Sequence, residues 1–175
     1  QWKTMKLPGL WEQQGLAELN LHGDAITVQH VLALITKLKH ICNFSPVERE
    51  SAKLEYLQEL LDDITAQNEK ALVFSQYPNM ALRHLERPLA AYRPRIFDGT
   101  LSDRARAQIV DDFQTKEHIR VLLMSVKAGG LGITLTRANH VVHFDHWWNP
   151  AVAAQATARA RRIGQTKTVF VKWLL

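Results

Sequence analysis

The sequence has 175 residues, of which 46% are hydrophobic and 22% charged, and its formal net charge is +5. This composition is typical of a globular protein with one domain, or with one domain and an appended piece. No apolar run approaches the roughly 18 residues that crossing a bilayer requires, and the N-terminus lacks the apolar region of a signal peptide. Cys42 is the only cysteine, which excludes an internal disulfide and indicates an intracellular protein. Because the chain begins at Gln1 and stops inside the run VFVKWLL, we expect a piece of a longer protein.

Two helices are predicted in the first part of the chain. Residues 24–41 carry apolar side chains at helical spacing. A second helix fits residues 49–68, where four apolar side chains form one stripe: Leu54, Leu57, Leu61 and Ile64. Residues 1–47 are interpreted as separate from the rest of the chain.

From residue 71 onward, short β-rich runs alternate with helical stretches. Strands are predicted at 71–77, 93–99, 120–126, 140–145 and 168–175, and helices at 79–91, 102–115 and 150–163. This alternation predicts an α/β domain built on a parallel sheet. Ligands of such sheets bind where the strands end. The candidate site segments are therefore 75–76, 98–100, 125–132 and 145–149.

The excess positive charge lies at the C-terminal end. Lys and Arg balance Asp and Glu over residues 1–145, whereas residues 146–175 contain no acid. The cations of this last stretch are Arg159, Arg161, Arg162, Lys167 and Lys172. The asymmetry predicts an anionic partner, with a solvated basic face as the alternative.

The predicted helix 150–163 follows an N-cap at Asn149 and precedes Gly164. On a helix of that length Gln155, Arg159 and Arg162 share one stripe, and Arg161 faces elsewhere. Two guanidinium groups on one face repel each other unless an anion lies between them, and arginine matches phosphate oxygens well. Pairing with acids from another element is the alternative.

A glycine-rich segment, Ser125-Val-Lys-Ala-Gly-Gly-Leu-Gly132, follows a buried strand. Its N–H groups, beside Lys127, are suited to a phosphate backbone, although a tight turn also needs glycines. The segment is not a G-x-x-x-x-G-K-[ST] loop, and no such loop occurs in the chain. This polypeptide could not bind and hydrolyse a nucleoside triphosphate by that route alone.

Three further patterns allow opposite interpretations. The indoles of Trp147 and Trp148 either stack on bases or sugars or belong to the core. Six arginines could track phosphates, although Glu86, Asp98 and Asp103 would neutralise part of their charge; they are Arg83, Arg87, Arg93, Arg95, Arg104 and Arg106. The histidine spacing at 140, 143 and 146 resembles a metal motif, but a strand would point alternate histidines to opposite faces, so no metal site is predicted.

Together, four segments resemble the C-terminal RecA-like lobe of the Swi/Snf-type ATPases of helicase superfamily two. They are LVFSQY, FDGTLSDRARAQIVDDFQ, LLMSVKAGGLGITLTRANHVVHFDHWWNP and QATARARRIGQ. The resemblance implies a RecA-like parallel sheet between helices over residues 48–175, truncated at its C-terminal end. It also implies a partial helical extension over residues 1–47, although Phe44-Ser45-Pro46 stands where the family usually has His-Pro.

The resemblance also implies a nucleotide role for the last motif. Arg159 and Arg162 match its catalytic arginines, with Arg162 as the arginine finger, and Gln155 and Gly132 are implied to bind nucleotide. ATP with Mg²⁺ would be bound mainly by an N-terminal RecA-like lobe of the same protein. The isolated chain is therefore expected to show no ATPase activity.

Double-stranded DNA is the other partner that the resemblance implies. The matching positions are Ser75, Gln76, Gly99, Thr100, Arg106, Lys127, Ala128, Gly129, Gly130, Trp147 and Asn149. Contacts to the DNA backbone carry no sequence information, so binding is expected to be largely non-specific. A DNA-bound protein target, no membrane, and a location in the bacterial cytoplasm or nucleoid or the eukaryotic nucleus are further implications.

Three positions depart from the family pattern. Ala158 replaces an acid, Arg161 replaces an aromatic residue or His, and Thr134 stands where Asn is frequent. The first two keep a second hypothesis open, a non-catalytic nucleic-acid-binding or scaffold domain. An RNA helicase lobe is a third hypothesis.

Overall fold

Two units make up the chain, Gln1–Ser51 and Ala52–Leu175, in a computed structural model that describes residues 28–44, 51–128 and 132–174. The first unit contains helix α1 (Val28–Asn43), which agrees with the helix predicted over 24–41. The predicted start of that helix, 24–27, lies outside the described residues.

The second unit alternates strands and helices, as predicted. Its elements are α2 (Ala52–Ala66), β1 (Ala71–Ser75), α3 (Arg83–Glu86), β2 (Arg95–Phe97), α4 (Asp103–Thr115), β3 (Val121–Ser125), β4 (His140–His143), α5 (Pro150–Thr157) and β5 (Phe170–Trp173). None of the helices in the described part of the chain has both the length and the apolar run that spanning a membrane needs.

The five strands form one sheet in the order β2-β3-β1-β4-β5. Every neighbouring pair is parallel, which confirms the predicted α/β domain on a parallel sheet. Ser75 pairs with Ser125, and Phe74 pairs with His143, so the carboxyl ends of β1, β3 and β4 lie side by side. This register places the segments after these strands at one edge of the sheet.

Both central strands, β1 and β3, are buried along their whole length. Side chains on one face join α4 and α5 in a single apolar cluster that includes Leu72, Phe74, Leu122, Met124, Phe113 and Ala156. The alternating residues Ala71, Val73 and Leu123 are equally inaccessible, so the opposite face is covered too. Burial on two faces explains why these strands read as continuous apolar runs.

The single helix predicted over 79–91 is interrupted. A π-helical turn (Pro78–Leu82) leads into the four-residue α3, and a 3-10 turn (Ala90–Tyr92) follows. Pro88 lies within the predicted span and has no N–H to donate, and its ring would clash with the carbonyl four residues earlier. The prediction of one continuous helix was therefore wrong at this proline.

A stack of rings crosses three strands near their carboxyl ends. His143 lies 5.7 Å from Phe74 and 4.0 Å from Trp173 between ring centroids, and its Nε2 is 3.0 Å from the Thr157 hydroxyl. Burial, together with the nearby charge of His146, lowers the pKa of His143 to about 4. The packing of α5 on the sheet is therefore favoured when this imidazole is neutral.

Acidification from pH 7 to pH 5 is predicted to destabilise the second unit through His143. Its ordinary pKa is 6.5 and its folded value is about 4, so in this window the unfolded chain binds a proton that the folded chain does not. The free energy of unfolding should fall by about 2 kcal/mol between these pH values. The fall should continue through the folded pKa of about 4 and be complete about one unit below it, whereas about one unit above the ordinary pKa of 6.5 the contribution is fully present.

Urea unfolding curves at each pH measure this dependence. His143→Phe should flatten it because the variant cannot take up the proton, and His118→Gln, a change at an exposed histidine, should retain the wild-type slope. An unaltered slope in His143→Phe would contradict the assignment.

Candidate functional site: the carboxyl edge of the sheet

Asp145 organises the turn that comes after β1. The Ser75 hydroxyl donates a short hydrogen bond to Asp145 Oδ2, and the Gln76 N–H donates to Oδ1 at 3.0 Å. Ser75 Oγ also accepts from the Tyr77 N–H at 3.0 Å. Burial raises the pKa of the Asp145 carboxyl, while the hydrogen bonds from Ser75 and Gln76 oppose that change.

Two of the predicted DNA-contacting residues thus belong to this network. The structure places Ser75 fully inside the protein, where its hydroxyl serves the turn. Gln76 is partly exposed, and its side-chain Nε2 donates to the His146 carbonyl at 3.1 Å. The segments after β1 and β4, separated by about seventy residues in sequence, are therefore joined at this point.

A second network lies after β2. Asp98 Oδ1 accepts from the Thr100 N–H at 2.9 Å and from its hydroxyl at 2.6 Å, and Asp98 Oδ2 accepts from Arg83 at 3.1 Å. Burial acts to raise the pKa of Asp98, but the hydrogen bonds from Thr100 and the charge of Arg83 outweigh it and lower that pKa. Arg106 donates to the Gly99 carbonyl at 3.1 Å and to Asp103 at 3.0 Å.

These contacts bring Gly99, Thr100 and Arg106 together, as the sequence motif suggested. They also show that two of the six arginines are paired with acids, Arg83 with Asp98 and Arg106 with Asp103. The predicted neutralisation of this arginine-rich surface is thus confirmed for these two pairs. Gly99 and Thr100 remain exposed, although the Thr100 N–H and the Gly99 carbonyl are hydrogen-bonded within the chain.

The glycine-rich segment begins with a side-chain cap. Ser125 Oγ accepts from the Ala128 N–H at 3.1 Å, which turns the chain sharply after β3. Ala128 is buried and Lys127 is exposed, while Gly129 and Gly130 lie outside the described residues. Gly132 has a φ of +63°, a conformation that favours glycine.

The two tryptophans after β4 have different environments. Trp147, the predicted DNA-contacting residue, packs against the apolar cluster, whereas Trp148 is 63% exposed. Asn149 caps α5 through its side chain, whose Oδ1 accepts from the Ala151 N–H at 3.0 Å. The predicted N-cap is confirmed, and Trp148 is the exposed indole that the sequence interpretation did not select.

The helix predicted over 150–163 ends at Thr157. The Arg159 and Ala160 N–H groups bond three residues back, at 3.1 Å, and the Arg159 carbonyl accepts from the Leu135 N–H at 3.0 Å. Residues 158–164 are therefore turns, and the predicted helical stripe of Gln155, Arg159 and Arg162 is wrong. Tertiary hydrogen bonds to segment 132–138 override the helix-forming tendency of the alanines.

Instead, this turn segment gives each arginine a different environment. Arg159 is only 6% exposed, and its Nε has no hydrogen-bond partner among the described residues. Burial and the neighbouring positive charge of Arg162 lower the pKa of Arg159. A buried guanidinium without an acid is unfavourable unless an anion binds beside it.

Arg162 is exposed and is anchored at one nitrogen. Its Nη1 donates to the Gly132 carbonyl at 2.5 Å, to the Thr134 hydroxyl at 3.0 Å and to the Ile133 carbonyl at 3.3 Å. Gly132 and Arg162, both predicted to act on nucleotide, are thus in contact.

Two further polar residues of the last motif are at the surface. Gln155 is an exposed residue of α5. Arg161 is exposed as well and lines a groove of about 560 Å³ with Lys167 and Thr168. It therefore contacts solvent.

The comparisons with known proteins agree with this geometry. The family described as Helicase conserved C-terminal domain matches residues 52–164, well over half of the chain. YwqA of Bacillus subtilis, described as an ATP-dependent helicase/translocase, is 44% identical over 154 residues, which cover 81% of this chain and 16% of YwqA. DNA repair protein RAD5B of Arabidopsis thaliana is 42% identical over 128 residues, covering 71% of this chain and 10% of RAD5B.

A solved structure extends the agreement to three dimensions. The Sulfolobus solfataricus SWI2/SNF2 ATPase core, in complex with dsDNA, matches with a TM-score of 0.72 and 30% identity, covering 94% of this chain and 38% of that chain. The parallel sheet and its covering helices therefore form a RecA-like fold, as predicted.

Fold and motifs together define a helicase lobe, and the chain belongs to the helicase conserved C-terminal domain family. More particularly, it is a C-terminal lobe of the Swi2/Snf2 type, in agreement with the resemblance that its motifs carry. The chain spans about a sixth of the length of YwqA.

Two residues that shape this site are absent from the predicted site residues. Gln165 Nε2 donates to the carbonyls of Thr136, Ala138 and Ala160 at 2.8–3.1 Å. Thr134 contacts Arg162, whereas in the sequence it is only a departure from the family pattern. The signal for Gln165 was its place in the RIGQ segment, directly after a glycine whose φ is +99°.

Asp145→Ala is predicted to lower the free energy of unfolding by about 2–4 kcal/mol. The change leaves the Ser75 hydroxyl and the Gln76 N–H without their acceptor in a buried site. Chemical denaturation followed by tryptophan fluorescence measures the loss. Asp111→Ala, at an exposed carboxyl of α4, should change stability by less than about 0.5 kcal/mol; equal effects of the two variants would contradict the role of Asp145.

Proposed function

We propose that this chain is the second motor lobe of an ATP-dependent translocase or remodeller acting on double-stranded DNA. In this proposal residues 48–175 form the lobe and residues 1–47 belong to a helical extension before it. ATP is bound mainly by a first RecA-like lobe of the same protein. Arg159 and Arg162 face that nucleotide, and the loops at the carboxyl edge of the sheet hold the DNA backbone.

The observation that carries the proposal is the state of Arg159. Arg159 as a residue is only 6% exposed, its Nε is buried and lacks a partner among the described residues, and Arg162 is nearby. Together these observations support an anion as the missing partner. Residues 146–175 contain no acid that could supply this charge. A nucleoside triphosphate presented by another lobe supplies it, and a planar guanidinium matches phosphate oxygens in geometry.

In this proposal the two arginines do different things. Arg162 is exposed and acts as the arginine finger, stabilising negative charge that develops on the transferred phosphoryl group. Arg159, fixed by burial, holds the phosphates in position, and Gln155 and Gly132 complete the nucleotide-facing surface. In the described residues no group of three or more His, Cys, Asp or Glu side chains is placed to hold a metal. We propose, from the resemblance, that Mg²⁺ is bound with ATP mainly by the first lobe.

The DNA-facing surface in the proposal is the edge where β1, β2, β3 and β4 end. The exposed or partly exposed positions available for backbone contacts are Gln76, Gly99, Thr100, Arg106, Lys127 and Asn149. Gly129 and Gly130 lie outside the described residues, and the resemblance alone proposes them as further backbone contacts. We propose that three residues support the DNA-facing surface from inside the protein, through the hydrogen bonds and core packing described above. They are Ser75, Ala128 and Trp147. The SWI2/SNF2 ATPase core that this chain resembles was solved with dsDNA, which favours duplex DNA over RNA.

A DNA-bound protein is the proposed target of the movement. In this proposal the protein works in the bacterial cytoplasm or nucleoid or in the eukaryotic nucleus.

Arg162→Ala in the full-length protein is predicted to lower kcat for DNA-stimulated ATP hydrolysis by 10²-fold or more, because arginine fingers contribute 10³–10⁵ in related reactions. DNA affinity should stay near the wild-type value. Steady-state ATPase assays with saturating duplex DNA, and fluorescence anisotropy for DNA binding, measure the two quantities.

Arg161→Ala is the matched control, since it removes the adjacent exposed arginine and should leave kcat within about twofold. Wild-type turnover in Arg162→Ala would remove the finger assignment. Loss of DNA affinity and a flatter salt dependence, with turnover unaffected, would instead favour the scaffold hypothesis.

Lys127→Ala is predicted to weaken duplex DNA binding by this chain and to reduce the slope of log K against log salt by about one, because one phosphate contact is lost. Anisotropy titrations from low to moderate salt measure both effects. Lys116→Ala removes another exposed lysine, at the end of α4 and paired with Asp112, and should alter neither. Tighter binding of double-stranded RNA than of duplex DNA would overturn the choice of substrate.

A further inference from the structure

The side chain of Arg162 is hydrogen-bonded to residues 132–134 of its own chain. Its Nη1 contacts three consecutive residues, and Thr134 supplies the side-chain acceptor, at 3.0 Å from Oγ1 to Nη1. The other two acceptors are backbone carbonyls, of Gly132 at 2.5 Å and Ile133 at 3.3 Å. A substitution of Thr134 can therefore change this anchor while both carbonyls remain.

The same stretch is fixed on its other side. The Leu135 N–H donates to the Arg159 carbonyl at 3.0 Å, and Gln165 Nε2 donates to the Thr136 and Ala138 carbonyls at 3.0 and 2.8 Å. Thr134 thus lies on a support that is tied to both ends of the arginine-bearing turn. A hydrogen bond that Arg162 donates to such a support restricts its side chain more than a bond to a mobile loop would.

The anchor leaves most of the guanidinium available. Arginine has five N–H donors in a rigid planar fork, and the hydrogen bonds of Arg162 within the described residues all come from Nη1. Fixing one nitrogen orients the plane, while Nη2 and Nε can still donate to an anion. This is the geometry of a preorganised phosphate-binding group and not of a neutralised one.

We propose that Thr134 is a positioning residue for Arg162, whose hydroxyl holds the guanidinium plane so that its remaining donors face the transferred phosphoryl group. The inference rests on the proposed function, since it requires Arg162 to act on nucleotide. It goes beyond that function by assigning a role to a residue that does not itself touch the nucleotide.

The test compares Thr134→Val with Thr134→Ser in the full-length protein. Valine keeps the branched shape and removes the hydroxyl, whereas serine keeps the hydroxyl. We expect Thr134→Val to lower kcat for DNA-stimulated ATP hydrolysis by about 5–10-fold and to leave KM for ATP within about twofold. The reason is that a correctly oriented Arg162 stabilises the transition state more than it stabilises bound ATP. Thr134→Ser should restore kcat to within about twofold of wild type.

Thr136→Val is the matched control. It removes a hydroxyl two residues away, in a segment held by the same glutamine, and should leave kcat and KM as they are in wild type. Thermal melting of each variant checks folding. If Thr134→Val does not fold, Thr134→Ala provides the same comparison, with serine again expected to restore kcat.

A double-mutant cycle separates this inference from the proposed function. Thr134→Val combined with Arg162→Ala should be no slower than Arg162→Ala alone, because Thr134 acts through Arg162. If the two losses multiply, or if Thr134→Val turns over like wild type while Arg162→Ala is slow, the positioning role is overturned and the finger assignment stands. If Arg162→Ala itself turns over like wild type, both fail.

Discussion

The attachment of segment 132–138 to the turn after α5 determines the form of the candidate nucleotide site. The Arg159 carbonyl accepts from the Leu135 N–H, and the Gln165 side chain bonds carbonyls on both segments. The first of these bonds uses the carbonyl that a helix continued to residue 163 would need for its last N–H. The helix ends at Thr157, and these bonds hold the arginines after it on a folded turn.

That turn has an electrostatic consequence. Arg159 is enclosed without an acid beside it in the described part of the chain, and its charge adds to that of Arg162, an arrangement that lowers the pKa of Arg159. Burying a charge that has no partner is unfavourable. Proteins keep such groups mainly at functional sites, so the buried Arg159 indicates a binding site at this turn. By contrast, Asp145 and Asp98, the buried acids at the same edge, have their donors within the chain, so their role is structural.

The sheet could be predicted because strands are specified by the local sequence. Short apolar runs of branched residues that are bounded by turn residues rarely form anything but buried strands. The features that could not be predicted depend on distant partners. The turn after α5 is held by Leu135 and Gln165, and the environments of the two adjacent indoles depend on which one packs against the core. Pro88 differs, since the sequence alone contains the reason why the helix after β1 is interrupted. The motif identified the two arginines, but only the folded structure shows that Arg159 is buried and that Arg162 is anchored.

The glycine-rich segment connects the two halves of the proposed function. At its start, Lys127 is exposed beside the end of β3, where DNA is proposed to bind. At its end, the Gly132 carbonyl accepts from Arg162. Coupling between two ligands requires an element with which both interact differently in its alternative states. In the proposed function Lys127 faces the DNA, and the Gly132 carbonyl accepts from Arg162, so a displacement of Gly132 would move an acceptor of the proposed arginine finger.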